Sequence, residues 1–408
     1  VVDRIQSGGA ASINQAQEKI YELGNFNSVA TIRDIPDLTF DVESFDMTCE
    51  FEALLTGAIF AASSGTGTTA GSLPMGTAFD FANALPIDVI SPFKSNTGAY
   101  DIVDSVAIPY LTLERATYRF GVRQSSTQQF SLRGDSIMYI PGQAMYKEYA
   151  YTGAATYAFG QTAIIYTEAG VALYALCVTA LKRSTHVAKR LFIGDDYTNT
   201  TTGFTVTAAG ALAAPTATYD KIAVVYGTAS ITALYPQSVH AGITGVALTT
   251  SPAAVRGKDI DVYIGTNAAT PVYTRWTSVQ SIEVTRSVNL EADEELGNPH
   301  YVTQDYVTAD VAGTLNLKPR DVAELFTKIA TIADVATNVI AGPFTSATLP
   351  LQIQISDPDL GTVLKTLYIP DARFTMPGIQ GRANSKLETS IPFTSDSGQL
   401  LIYKGLKP

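Results

Sequence analysis

The chain is short of charge and of the residues that do chemistry. Only 16% of its 408 residues are charged, and it holds three histidines, two cysteines and one tryptophan. Cys49 and Cys177 are too few and too far apart for a disulfide framework or a zinc cluster, so two buried thiols are expected. His186, His240 and His300 stand in unrelated contexts, with neither metal-ligand spacing nor a Gly-x-Ser-x-Gly elbow nearby. Cations are short as well: 27 Lys and Arg face 38 Asp and Glu, for a net charge of −11. A surface that wraps DNA phosphates needs clustered Lys and Arg, which argues against that class of partner. An acidic balance suits a passage along which nucleic acid slides without sticking, and equally suits ordinary solubility. The most apolar window, 160–181, is broken by Glu168 and Gly170. These read as a hairpin turn between Ala163-Ile164-Ile165-Tyr166 and Val171-Ala172-Leu173-Tyr174, so no membrane span is expected. Nor does a basic segment followed by an apolar one open the chain, so secretion by a signal peptide is not expected.

Motifs that carry catalysis or ligand binding are equally sparse. Gly65-x-Gly67-x-x-Ala70 matches a dinucleotide fingerprint in letters, but Thr and Ser surround it and no strand–helix unit encloses it. Carboxylates at 291–295 lack the Asp-x-Asp-x-Asp-Gly order of a calcium loop. Lys182, Arg183, Lys189 and Arg190 form a small basic patch without interleaved aromatics, which reads as a solvated or subunit-contact face. No cofactor or metal is expected, and nothing marks the chain as an enzyme.

What is present is repetition. Glu22-Leu23-Gly24-Asn25 recurs as Glu295-Leu296-Gly297-Asn298, Leu85-Pro86 as Leu349-Pro350, Ile108-Pro109 as Ile369-Pro370, and Phe130 and Gly142 as Phe393 and Gly405. The matches keep one order and stay in register within a dozen residues, as an internal duplication would leave them. Both copies are strand-rich. Leu38, Phe40 and Val42 alternate with Asp37, Thr39, Asp41 and Glu43; Val307, Ala309, Val311, Gly313, Leu315 and Leu317 alternate with polar or small residues. A short helix is expected after each: Phe51, Leu54 and Leu55 in the first copy, and Val322, Leu325, Phe326 and Ile329 behind Pro319 and Asp321 in the second. Between the copies, Gln143 to Pro271 has no counterpart. Its strand candidates, among them Phe204 to Thr207, Ile222 to Tyr226 and Ile260 to Ile264, suggest a separate β-rich domain. The expected organisation is mainly β: a first domain over 1–142, an inserted outer domain over 143–271, and a second copy over 272–408.

The order of strand, acidic Glu-Leu-Gly loop, alternating strand, short helix, Gly-rich loop and closing strands resembles the tail tube domain of tailed bacteriophages. Ser278 to Ile329 and Leu349 to Gly405 carry the likeness, including Ile369-Pro370-Asp371-Ala372-Arg373-Phe374 and Lys386-Leu387-Glu388-Thr389-Ser390. The resemblance covers roughly two thirds of the chain, as two copies, each a β-sandwich with one short α-helix. It implies a virion tail protein, assembled in the host cytoplasm, whose partners are itself, tape measure and tail terminator proteins, and DNA passing through a lumen without specific binding. Three two-domain chains would then fill a pseudo-sixfold ring, and rings would stack into a tube. Under that resemblance Asp37, Asp41 and Glu43 are candidate lumen-facing carboxylates. Glu18, Glu22, Glu291, Asp293, Glu294 and Glu295 are candidates for a loop reaching a neighbouring subunit or ring. Other roles stay open: a tail terminator, baseplate hub or capsid-associated protein, or host-surface binding through the middle domain. Deleting Gln143 to Pro271 is expected to leave ring formation possible.

Overall fold

A computed structural model of the chain describes residues 5–8, 12–20, 30–45, 47, 49–55, 78–94, 102–153, 155–159, 163–164, 166–168, 171–207, 210–213, 218–228, 255–266, 270–295, 300–318, 332–334, 339–341, 348–375, 378–380 and 388–407. The first part contains β1 (Ile5–Gly8), β2 (Ser12–Asn14), β3 (Gln17–Ile20), β4 (Ala30–Arg33), β5 (Asp37–Ser44), α1 (Glu50–Leu55), β6 (Ala78–Asp80), β7 (Ile87–Lys94), β8 (Ile102–Gly121), β9 (Thr127–Gly134) and β10 (Met138–Ile140). The middle part contains β11 (Gln143–Ala150), β12 (Thr156–Ala158), β13 (Tyr166–Glu168), β14 (Val171–Leu173), β15 (Ala175–Lys182), β16 (Val187–Leu191), β17 (Tyr197–Thr200), β18 (Gly203–Val206) and β19 (Lys221–Thr228). Then follow β20 (Ile260–Gly265), β21 (Tyr273–Trp276), β22 (Val279–Asp293), β23 (Thr303–Leu317), β24 (Ile332–Asp334), β25 (Val339–Ala341), β26 (Thr348–Ser356), β27 (Val363–Phe374), β28 (Gly378–Gln380), β29 (Glu388–Ser395) and β30 (Leu401–Lys404). The chain is mainly β, and α1 is the α-helix among the described residues. The helix expected from Val322 to Ile329 lies outside them, as do Glu22, the Gly-rich stretch at 63–76 and His240. No described helix is long and apolar enough to cross a membrane.

Strand register makes the duplication visible residue by residue. In the first copy Thr39, Phe40, Asp41, Val42, Glu43 and Ser44 lie opposite Arg133, Leu132, Ser131, Phe130, Gln129 and Gln128. In the second, Ala312, Gly313, Thr314, Leu315, Asn316 and Leu317 lie opposite Thr394, Phe393, Pro392, Ile391, Ser390 and Thr389. Positions 40 and 313 differ by 273, and positions 132 and 393 by 261, throughout both ladders. The hairpin arm repeats too: Gln17, Glu18, Lys19 and Ile20 face Arg33, Ile32, Thr31 and Ala30, and Leu290, Glu291, Ala292 and Asp293 face Tyr306, Asp305, Gln304 and Thr303. Every member of that arm is again displaced by 273. The closing strands match as well, since Met138, Tyr139 and Ile140 face Ala107, Val106 and Ser105, while Leu401, Ile402 and Tyr403 face Tyr368, Leu367 and Thr366. Both copies then turn at a glycine with positive φ, Gly142 and Gly405. In each, a hydroxyl at the equivalent position holds that turn: Ser105 Oγ donates to the Gly142 carbonyl at 3.0 Å and Thr366 Oγ1 to the Gly405 carbonyl at 2.6 Å. Glycine tolerates positive φ without the Cβ clash that another residue meets there.

Two of the sequence matches are misaligned by two residues. Phe130 is the counterpart of Ile391, and Phe393 that of Leu132, because the Phe has changed strands. Phe40 packs beside Leu132 in the first copy, whereas in the second a Cβ at Gly313 would sit 2.2 Å from Phe393 Cζ. The phenylalanine has exchanged strands, and the glycine opposite it leaves the room that the Phe393 ring occupies. Similarly Ile87, rather than Leu85, answers Leu349: Ile87 faces Leu111 and Leu349 faces Ala372, each followed by a bulge at the same place. The alternation expected to bury Val307 also fails there, since Val307 is 52% exposed. It is the extra residue of a bulge between Asn289 and Leu290, in an arm that runs beyond the core.

One apolar cluster holds both copies. Leu38, Leu55, Phe79, Leu113 and Phe130 of the first join Ile282, Leu315, Ile353, Ile391 and Ile402 of the second. The middle part has its own core, built around Tyr157, Phe159, Phe204 and Tyr226. It seats on the first copy through Ala107, Tyr110 and Ile140 packed with Leu176, Cys177 and Val225. The expected hairpin forms, with Tyr166, Thr167 and Glu168 opposite Leu173, Ala172 and Val171. The strand at 260–264 joins the second copy instead, since β20 pairs with β26 along Ile260 to Ile264. Excising Gln143 to Pro271 would therefore remove a strand of the second copy's sheet as well as the middle core. Both cysteines are buried thiols outside any disulfide.

Candidate assembly interface

The two copies meet edge to edge inside the chain. Arg115 to Gly121 of β8 pair antiparallel with Ser281 to Ser287 of β22, extending one sheet from the first copy into the second. A second seam lies beside it, where Ala78, Phe79 and Asp80 of β6 pair with Tyr403, Ile402 and Leu401 of β30. Across the main seam Thr117 and Thr285 place their Oγ1 atoms 3.2 Å apart, and Arg119 Nε lies 3.4 Å from Glu283 Oε1. Beneath it, Lys365 of the second copy reaches into the first. Its Nζ donates to Glu52 Oε1 at 2.5 Å and to Gln128 Oε1 at 2.9 Å, and Tyr118 Oη donates to the same Glu52 oxygen at 2.7 Å. Glu52 and Lys365 are fully buried. A charge so placed is tolerated only when paired and hydrogen-bonded. Burial, then the negative charge of Glu52, push the Tyr118 hydroxyl well above its ordinary range.

A second buried node ties all three parts together. Asp135, after β9, receives two hydrogen bonds from Arg190 Nη1 of the middle part, at 2.8 and 2.7 Å. The same carboxylate lies 3.2 Å from His300 Nδ1 and accepts the Tyr301 backbone N–H at 2.9 Å, both in the second copy. Burial raises the Asp135 carboxyl, but the charge of Arg190 and the contact with His300 outweigh it and hold it well below the usual carboxylate range. Arg190 is only 3% exposed, so it is not part of a solvated basic face. Lys189 does face outward, and pairs with Asp196 at 3.3 Å. Nearby, Asp88 accepts the Tyr110 N–H at 2.9 Å, and burial pushes its carboxyl up to about 6 against the pull of that bond and of Arg190. No sequence motif marks these nodes, because their members lie 55 to 313 residues apart. The one available signal was the scarcity of charge, which makes each charged residue in an apolar strand conspicuous.

The candidate carboxylates divide into two groups. Asp37, Asp41 and Glu43 sit half-buried on the polar face of β5, alternating with Leu38, Phe40 and Val42. That face is not acidic alone. Arg133 grips Asp37 through Nε and Nη2, at 2.7 and 3.1 Å, Ser131 donates to Asp41, and Arg115 and Arg119 project from β8 onto the same side as Ser131 and Gln129. Glu291, Asp293, Glu294 and Glu295 are exposed along the outer arm of β22 and just past its end, and Arg133, which grips Asp37, also reaches the Leu290 carbonyl at the base of that arm at 3.4 Å. Glu18 occupies the place of Glu291 in the first copy's arm. Among the described residues, no group of three or more His, Cys, Asp or Glu is placed to hold a metal ion.

No family model matches the sequence, and no curated protein does. The structure is similar to a chain in the 6-fold symmetrised cryo-EM structure of the anti-feeding prophage (AFP) baseplate, at 11% identity and a TM-score of 0.27, covering 38% of this chain and 98% of that one.

Proposed function

We propose that the chain is a structural subunit of a phage-tail-type particle, one whose copies join side by side to wall a passage for DNA. The observation that supports this most is the strand-paired seam between β8 and β22: two copies of one domain already extend a single sheet within the chain. A domain that docks on its own duplicate head to tail builds rings where the rotation closes and filaments where it does not. Closing the sheet on itself also removes the exposed edges that invite uncontrolled pairing. Three chains would supply six domains. Stacked rings of this kind would be a tail tube, whereas a ring that is capped would be a terminator or baseplate hub. Both use the same seam and differ only in polymerisation.

Negative-stain images of the purified protein separate these outcomes. Hollow rods support the tube, isolated rings support the capped component, and a protein that stays monomeric at every concentration sinks both. The polar face gives a further expected result. If it lines the passage, Asp41→Lys with Glu43→Lys should leave assembly intact and slow DNA passage, most severely at low ionic strength where screening is weak. Asp37 is left in place because Arg133 already neutralises it. Unchanged passage through intact assemblies would put this face on the outside.

A further inference from the structure

The seam inside the chain has two unmatched halves at the chain's ends. In the second copy the outer side of β22 is covered by β8, and that of β30 by β6. Their counterparts in the first copy, β2 and β10, pair on one side only among the described residues, β2 with β5 and β10 with β8. At the other end β28 continues the line of β27. Gly378, Ile379 and Gln380 face Ser390, Thr389 and Glu388, as Thr117, Tyr118 and Arg119 face Gln129, Gln128 and Thr127. Thus β28 holds the place of the β8 segment that binds β22, with no described strand on its far side. Exposure tells the same story. Arg286 and Ile402, inside the seam, are 3% and 0% exposed, whereas their first-copy counterparts Ile13 and Tyr139 are 51% and 63% exposed. These are apolar or aromatic side chains at sites that the duplicate buries.

We infer that the β2 edge of one chain pairs antiparallel with the β28 edge of a second copy, in the register that β22 and β8 use within the chain. This deepens the structural reading above, on which it rests. Moving the pair Thr285 and Thr117 by the offsets of 273 and 261 sets Ser12 of one chain opposite Gly378 of the next. An open strand edge flanked by exposed apolar side chains is a template for pairing, and a second copy supplies the complementary edge.

The test uses the full chain with Cys49→Ala and Cys177→Ala, so that introduced thiols are the only ones. Thr117→Cys with Thr285→Cys should close a bond within one chain and serves as the positive control. Ser12→Cys with Gly378→Cys should give a chain-to-chain ladder on oxidation, ending at a closed product. Either variant alone should give none, and a mixture of the two single variants should give dimers and nothing larger. Oligomers that light scattering sees but that fail to cross-link overturn the register while leaving the structural role standing. Cross-linking of a single variant with itself overturns the head-to-tail edge, and a strictly monomeric protein overturns both readings. Because Gly378→Cys could disturb folding, Ile13→Asp provides a separate measure. It should leave the thermal midpoint unchanged yet weaken association at least about tenfold, since pairing would bury an unpaired carboxylate at the site equivalent to the buried Arg286. Unaltered association in that variant counts against the pairing.

Discussion

Lys365→Met should lower the stability of the chain by about 3–5 kcal/mol, because it strands the Glu52 carboxylate in a place with no water to solvate it. The single variant removes the Nζ that holds Glu52 and Gln128 across the two copies and leaves the charge behind. Adding Glu52→Gln should restore much of the loss, since an amide keeps an acceptor for Tyr118 and carries no charge to bury. Urea midpoints of the wild type, both single variants and the double variant measure this as a cycle. A double variant no more stable than its worse parent would show that the pair does not act as a unit. The effect should be confined to the seam within the chain. Position 365 corresponds to Asp104 in the first copy by the offset that relates Ser105 to Thr366, so the end-to-end seam between chains cannot repeat this pair.

Arg190→Ala is expected to cost a similar amount, about 3–5 kcal/mol at neutral pH, by leaving Asp135 buried without its main partner. Its pH dependence is distinctive. In the native chain the Asp135 carboxyl is held below its ordinary value of 3.8, so its contribution to stability is complete above that value and is lost as pH falls through the lowered one. Without Arg190 the same carboxyl is dominated by burial and rises, so the unpaired charge is tolerated worst at pH 7 and relieved on protonation. The gap in thermal midpoint between wild type and variant should therefore narrow as pH drops from 7 toward 3. A gap of constant size across that range would mean that Arg190 acts through packing alone.

The repeat was legible because its signal is local: Ile108-Pro109 and Ile369-Pro370, and the glycines that end each copy, mark turns and bulges whose backbone demands few alternatives. Alternating strands such as β5 were legible for the same reason, since the pleat sends successive side chains to opposite faces. Core identities were not. Phe393 matches Phe130 by letter, but the register makes Phe393 the counterpart of Leu132, where Gly313 opposite leaves room for the ring that Phe40 supplies from the other strand in the first copy. The membership of β20 was hidden because its partner, β26, lies some ninety residues away and its own composition resembles the middle strands. On β5 alone the candidate lumen face carries the carboxylates Asp37, Asp41 and Glu43. Arg115, Arg119 and Arg133 reach that face from other strands, and no single segment of sequence displays a whole sheet surface.

Fusing the two copies into one polypeptide changes how an assembly nucleates. Half of the domain–domain contacts in any closed ring would form by folding, independent of protein concentration, with the tether keeping the partner at an effective concentration in the millimolar range. Only the remaining contacts would depend on encounter between chains. The threshold for assembly is then set by one kind of edge, β2 with β28, so a modest change at Ile13 or beside Gly378 would govern when the particle forms while leaving each subunit folded.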